Sequence, residues 1–417
     1  MVDESGSGGR PTRRAFLTMS GMTVLGAALA TDPTARAAAS SGLDASIPFY
    51  GDHQAGIATE AQNYLCFAAF DLAAQTALDI AHLLRMWSQA AALMSAGQQV
   101  RGTNTVQADA PEDTGEAFGL PAANLTVTFG FGPSMFQIDG QDRFGLMSRQ
   151  PEALRALPAF PGDALDPSIS DGDVCIQACA DDPQIAFHAV HNLWRLALGA
   201  VSMRWMQMGF GRTATTSSRQ ASARNLMGFK DGTDNIRGDD AAAMKRFVWS
   251  GSEAPAWMQG GTYVVCRRIL IFLEPWDLSS LHDQEATFGR RKASGAPLSG
   301  RKEYDPPDLK AIGADGKPVI PTDAHIRLAS PSYNRGERIL RRGYSFNDVS
   351  GSGTRAPNSG LFFICFQRNP RAQFARIQSR LALSDHLSQF VEHTGSALFA
   401  VPPGAAVGSF VGASLLS

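Results

Sequence analysis

Arg224-Asn225-Leu226-Met227-Gly228-Phe229-Lys230-Asp231-Gly232-Thr233-Asp234-Asn235 sets one carboxylate among residues suited to tight turns. Gly228, Gly232 and Asn235 give the backbone freedom, and Leu226, Met227 and Phe229 give an apolar setting. An aspartate held this way, Asp231, is presented to a cavity and can take up and return a proton. An ordinary Asp-Gly turn explains the same residues by local chemistry alone. Eight histidines offer partners. His188 and His191 share a helical face beside Trp194, but two histidines without a third ligand at suitable spacing are more often packing residues than a metal site. His325 lies in Asp323-Ala324-His325-Ile326-Arg327-Leu328-Ala329-Ser330-Pro331 and, alone, reads as structural. Arg338, Arg341 and Arg342 follow in Arg338-Ile339-Leu340-Arg341-Arg342-Gly343-Tyr344-Ser345. Their charge is permanent, and the default state of such arginines is a solvated pair.

The elements that must position these residues alternate between strand and helix. Asn63 to Leu72 reads as a buried strand, and Thr76 to Ser95 carries apolar residues at helical spacing. Gln98 to Ala122 is polar and Gly/Pro-bearing, a surface excursion, and Leu125 to Phe129 alternates like a strand. Val174 to Ala180 is a strand ending in Asp182-Pro183, an N-cap with proline at the first helical position, before a helix running from Gln184 towards Met206. The pattern returns late in the chain, with a strand at Phe362 to Phe366, a cap at Asn369-Pro370, and Phe374 placed as Phe187 is after Pro183. The Ser/Thr-rich stretch from Gly211 to Gln220 reads as the linker between two halves. In the second half Gly261 to Leu273 is a β-branched strand, Trp276 to Gly289 a helix, and Arg290 to Lys317 a loop. Each half mixes strands and helices in a β-α-β-type order, which is consistent with a ferredoxin-like α+β unit.

With 417 residues, 44% hydrophobic and 18% charged, the chain suits two domains, and its net charge of −2 gives no basic surface for nucleic acid. After the N-terminus no apolar run approaches a membrane span. Residues 1–40 read as an export signal. Thr12-Arg13-Arg14-Ala15-Phe16-Leu17 is a twin-arginine pattern, Met19 to Ala30 is mildly apolar, and Ala35-Arg36-Ala37 offers a small-residue cleavage site. The domain expectation is therefore a signal over 1–40, one domain over 41–215 and a second over 216–417. The five cysteines are an odd number in apolar runs. Cys175 and Cys179, four apart on a strand, would stand about 13 Å apart, beyond disulfide reach. All five read as small core residues.

Gly228-Phe229-Lys230-Asp231-Gly232-Thr233 resembles the signature of dye-decolorizing (DyP-type) haem peroxidases, particularly the exported branch linked to iron uptake. Ile47-Pro48-Phe49-Tyr50-Gly51-Asp52-His53-Gln54-Ala55-Gly56-Ile57 resembles the start of that branch, and the likeness extends to His393-Thr394-Gly395-Ser396-Ala397-Leu398-Phe399. The resemblance implies two ferredoxin-like domains in tandem, with haem b held mainly by the second. It matches His325 to the axial iron ligand, Arg341 to the distal arginine and Asp385 to the carboxylate behind the ligand, although Asp385 also reads as a helix cap. Asp231 and Arg341 are then the catalytic pair. Heterolysis of hydrogen peroxide needs a proton moved between its oxygens and charge stabilised as they part. Gly232, Thr233, Asp234, Ser330, Pro331 and Ser332 join the expected cofactor-binding set.

Two features depart from the branch. Ser330-Pro331-Ser332 stands where Asn-Pro-Arg is usual, so an arginine contact to a haem propionate is missing and Arg327 or another basic residue takes its place. Asp234 is a carboxylate where alanine is usual. The implied function is an exported haem b peroxidase, periplasmic or extracellular, that oxidises organic donors such as dyes and phenols. Deferrochelatase action, which releases iron and leaves the porphyrin intact, and non-enzymatic haem carriage are the alternatives. Expected partners are hydrogen peroxide, an organic electron donor, the twin-arginine translocase, an iron-uptake or metal-trafficking partner and a second copy of the chain.

Overall fold

A computed structural model of the protein describes residues 45–100, 110–348 and 357–417. The first half runs β1 (Tyr64–Leu72), α1 (Ala77–Ser95), β2 (Thr126–Phe131), β3 (Val174–Ala180), α2 (Pro183–Leu196) and β4 (Val201–Arg212). The second runs β5 (Thr262–Ile271), α3 (Leu273–Leu278), α4 (Leu281–Phe288), α5 (His325–Ala329), β6 (Leu340–Arg341), β7 (Tyr344–Asp348), β8 (Asn358–Gln367), α6 (Phe374–Ser384) and β9 (Val391–Val401).

Within the first half the strands lie in the order β4-β1-β3-β2, and within the second β9-β5-β8-β7, all pairings antiparallel. Counted within each half, and leaving out the two-residue β6 at the margin of the second, both orders are four-one-three-two, the ferredoxin-like arrangement. The outer strands then join across halves. Ala400 pairs with Phe131, and Phe210 and Arg212 pair with Ser345 and Tyr344, so the sheet closes on itself and leaves few free edges.

Alternation along the strands sorts side chains to the two faces. Leu65, Phe67 and Ala69 point into the ring with Cys175, Cys179, Cys266 and Phe362, while Cys66, Ala68 and Phe70 face the covering helices. All five cysteines are buried and free. α1 starts on a reciprocal cap between Thr76 and Asp79, and its Trp87 donates to the Leu193 carbonyl of α2 at 2.7 Å. Asp182 caps α2 by accepting from Gln184 and Ile185. Asn369 accepts from Arg371 and Ala372, but α6 itself begins later, at Phe374.

Three expected elements differ. The helix after Asp182 stops at Leu196, and Gly199, with φ of 84°, turns the chain into β4. There Val201 and Trp205 are buried while Ser202, Arg204 and Met206 are exposed, a period of two that ends the helix. The helix expected from Trp276 is two, because Ser280 starts a new one by accepting from the Asp283 amide. The Gly211–Gln220 stretch is no free linker. Thr213, Ala214, Thr215 and Thr216 are buried, and the Thr213 amide donates to the Gly343 carbonyl.

Candidate active site

Asp231 sits on a loop that fixes itself before it fixes the carboxylate. The Asn225 side chain accepts from the Met227 and Phe229 amides, and the Trp276 indole donates to the Met227 carbonyl at 3.1 Å. Phe229 stacks on Phe288, which meets the His325 ring edge-on. The apolar residues beside Asp231 therefore tie its loop to the helices on the other side of the site. Gly232 permits a close approach, since a Cβ there would stand 2.9 Å from Thr215 Oγ1 and 3.0 Å from its amide nitrogen. Its role is this packing; it does not line the cavity.

Arg341 enters from β6, whose residues Leu340 and Arg341 pair with Phe366 and Cys365 of β8. Its Nη1 donates to Asp231 Oδ1 at 2.5 Å and its Nη2 to the Thr233 carbonyl at 3.0 Å. Asn235 grips the main chain behind it. The Asn235 side chain accepts from the Arg341 amide and donates to the Arg341 carbonyl, both at 2.8 Å, and donates to the Thr215 carbonyl. Two residues 110 apart in sequence are thereby held in one geometry.

Across the cavity, His325 is the first residue of α5. Gly289, at the end of α4 with φ of 76°, lets that turn lie against α5; a Cβ there would overlap Ile326. His325 Nδ1 donates to Asp385 Oδ2 at 2.6 Å. Asp385 meets both expectations for it, because its other oxygen caps the turn that follows α6 by accepting from the Leu387 amide. Burial pushes the His325 imidazole down, but the charge and hydrogen bond of Asp385 outweigh it, with a smaller pull from Asp231, and hold it above its ordinary value. The Nδ1 bond leaves Nε2 without a hydrogen-bond partner among the described residues, on a ring that lines the cavity.

The cavity has a volume of about 270 Å³. Its walls include Ile269 and Ile271 of β5, Leu361 and Phe363 of β8, and Ile377 and Leu381 of α6. Asp231, Thr233, Asp234, His325, Ser330, Pro331, Arg341 and Asp385 all line it. Ser332 does not; its hydroxyl bonds that of Ser330 at the cap of a short turn. Arg327 is also elsewhere. It is buried and donates to the Pro321 and Ile320 carbonyls and the Tyr333 hydroxyl, so it braces α5 and is not available to a cofactor.

His188 and His191 form no metal site, and no cluster of His, Cys, Asp or Glu among the described residues holds metal-ligand geometry. Their Nδ1 atoms bond the two oxygens of Glu116, with Asp113 beside His188. Hydrogen bonds from Thr114 and the two histidines overcome the cost of burial and hold the Glu116 carboxyl at about 2. The described end of the Gln98–Ala122 excursion is thus a strap packed onto α2, while 101–109 lie outside the described residues.

The family models for the N-terminal and C-terminal parts of Dyp-type peroxidases match residues 54–211 and 222–406. The chain belongs to the Dyp-type peroxidase family. A deferrochelatase of Escherichia coli is 37% identical over 364 residues, covering 86% of this chain and 84% of that protein. DtpA from Streptomyces lividans, solved as an oxyferrous complex, is 40% identical with a TM-score of 0.82, covering 91% of this chain and 99% of that one. A DyP-type peroxidase from Streptomyces coelicolor has the same identity and coverage and a TM-score of 0.83.

Within this Dyp-type peroxidase, sequence reasoning did not assign several residues to the site. Asn235 was legible only as a turn former, yet it clamps Arg341. Glu303 accepts from Lys230 and Thr233, and Arg290 donates to the Gly295 and Glu303 carbonyls, all from a stretch that carried no signal beyond loop composition. Arg267, Gln378 and His393 also line the cavity. Arg267 pairs with Asp163, while burial and the Arg267 charge depress His393 to about 3.

Proposed function

We propose that this chain is a haem b peroxidase that reduces hydrogen peroxide at the expense of organic donors such as dyes and phenols. One observation carries the reading: the Asp231–Arg341 pair and the His325–Asp385 pair line the same apolar-walled cavity. The donor set fits the cofactor. His325 Nε2 would hold the iron, the isoleucine, leucine and phenylalanine walls would enclose the macrocycle, and the cations lining the cavity would meet its carboxylates. When bound, haem would supply a redox-active iron for peroxide reduction.

The protein's own groups do the rest. Asp385 fixes the tautomer of His325 and makes Nε2 the more basic donor. Asp231 takes a proton from one peroxide oxygen and delivers it to the other, so the leaving oxygen departs as water. Arg341 stabilises the negative charge that builds as the bond breaks, and Thr233 and Asn235 keep its fork aimed while it does so. Arg341→Leu is expected to slow the Soret change on stopped-flow mixing with peroxide by about 10²- to 10³-fold, and Asp231→Asn by somewhat less, since water replaces a carboxylate more easily than a guanidinium. Wild-type rates in both, with haem retained, would leave the pair a merely structural role.

The likeness to a protein named deferrochelatase favours a second reading, release of iron from haem with the porphyrin intact. Free protoporphyrin after anaerobic incubation with haem would support it. We further propose export by the twin-arginine route to a periplasmic or extracellular site. The signal residues lie outside the described part of the chain, and the support is their sequence pattern alone. Replacing Arg13 and Arg14 by lysine is expected to retain the holoprotein inside the cell.

A further inference from the structure

We propose that Arg338 binds one carboxylate of the haem and that Asp234 is its resting partner, the two forming a latch at the cavity that opens as haem enters. The proposal rests on the haem reading above. It begins from what the other cations lining the cavity are already doing. Lys230 Nζ lies 2.5 Å from Glu303. Arg267 has a side chain only 1% exposed and is paired with Asp163. Arg290 is buried, with Nη1 donating to two carbonyls at 2.8 and 3.1 Å. Arg341 is engaged by Asp231 and Thr233. Arg327 does not line the cavity at all.

Arg338 differs from each of these. Its guanidinium has one partner, Asp234 Oδ1 at 3.3 Å, and the Asp234 side chain is 63% exposed. A long, wet ion pair of this kind is held weakly. A carboxylate brought in on a ligand that fills the cavity meets a guanidinium already partly shielded, where a charge-assisted, two-pronged bond is stronger than the pair it replaces. The main chain need not move, because Gln373 donates to the Arg338 carbonyl at 2.5 Å and pins it beside α6. Asp234 is equally fixed, with φ of 58° on the turn that carries Asp231, a conformation aspartate tolerates. Only two side chains rotate. Ser330-Pro331-Ser332 brings no cation to the cavity, Arg338 supplies it, and Asp234 is the carboxylate that the ligand's own replaces.

The test is transfer of haem from the holoprotein to apomyoglobin, run with iron protoporphyrin and with its dimethyl ester. For wild type, esterification is expected to speed loss about tenfold, the value of one charge-assisted hydrogen bond. Arg338→Gln is expected to lose haem about tenfold faster and to show little further effect of esterification. Asp234→Ala, which frees Arg338, is expected to slow loss several-fold, and that gain should vanish in the Arg338→Gln background. Arg338→Lys should retain part of the esterification effect, which separates loss of charge from loss of fold. If wild type binds neither porphyrin, the haem reading itself fails. If haem binds but Arg338→Gln remains as sensitive to esterification as wild type, the latch is wrong and another residue holds the carboxylate.

Discussion

The two halves share a strand order and differ in what crosses over it. In the first half a single 19-residue helix, α1, lies across the outer face of the strands. Its Trp87 stacks on Phe129 and meets Phe70 in the core beneath it. In the second half the corresponding connection, between β5 and β7, is broken into α3, α4, a long loop and α5. Ile269, Ile271, Leu361 and Phe363, on strands of the same type, line the open cavity. Helix ends and loops converge there, and they bring His325, Asp385, Asp231 and Arg341. The same scaffold makes a packed core where one long helix covers its strands and a cavity where short helices and loops do. The first half keeps a polar cluster, Glu116 between His188 and His191, but ties it up internally.

This contrast can be broken or sharpened by substitution. Outside the Asp231–Arg341 pair itself, the largest effect is expected for Asn235→Ala, which strips both main-chain bonds from Arg341 and leaves its buried partner Thr215 short of a donor. Peroxide reduction should slow by about ten- to a hundredfold, with a loss of ~1–3 kcal/mol in urea unfolding. Gly232→Ala forces a methyl against Thr215 and should cost ~1–3 kcal/mol with a smaller kinetic effect, since Asp231 keeps its partner. His393→Gln should act through pH. His393 is depressed to about 3 in the fold, so the neutral ring, which accepts from Arg267 Nε, contributes stability that is full above about pH 6.5 and lost as pH falls towards 3. The apo-protein should lose stability steadily across that window, and the variant should lose less. The smallest effect belongs to the packed half. Glu116→Gln should cost ~1 kcal/mol near neutral pH and leave peroxide kinetics unchanged. Because Glu116 is held at about 2, its contribution is present above about pH 4.5 and disappears as pH falls through 2. Acid melts of the two variants should therefore separate, with the cavity half loosening first.

What was legible in the sequence follows the same division. Short apolar runs were readable as strands, and Val174–Ala180 needed no adjustment. The repeat of strand, Asx-Pro and helix showed two related units, because a cap and a proline leave local marks. The ring closure did not show, since single pairings such as Ala400 with Phe131 depend on partners 269 residues apart. Helix ends were misjudged where one glycine or serine decided them, at Gly199 and Ser280. Asp231, His325, Arg341 and Asp385 were picked out because their segments resemble a known pattern, and the fold brings all four to one cavity. Asn235 and Arg338 escaped assignment because their importance lies in what they grip, which no spacing reveals. Arg327 looked available as a free cation and is instead spent on carbonyls of its own loop.

The central claim is that the interrupted crossover builds a haem site with His325 as its iron ligand. The direct measurement is titration of haem into purified apo-protein, followed by its Soret band, for wild type and for His325→Ala, His188→Ala and His191→Ala, each shown to be folded by circular dichroism. The account predicts a stoichiometric shift of the Soret band in wild type and in both first-half variants, and its loss or displacement in His325→Ala alone. An unchanged spectrum in His325→Ala, or loss of the band in His188→Ala or His191→Ala, would contradict it.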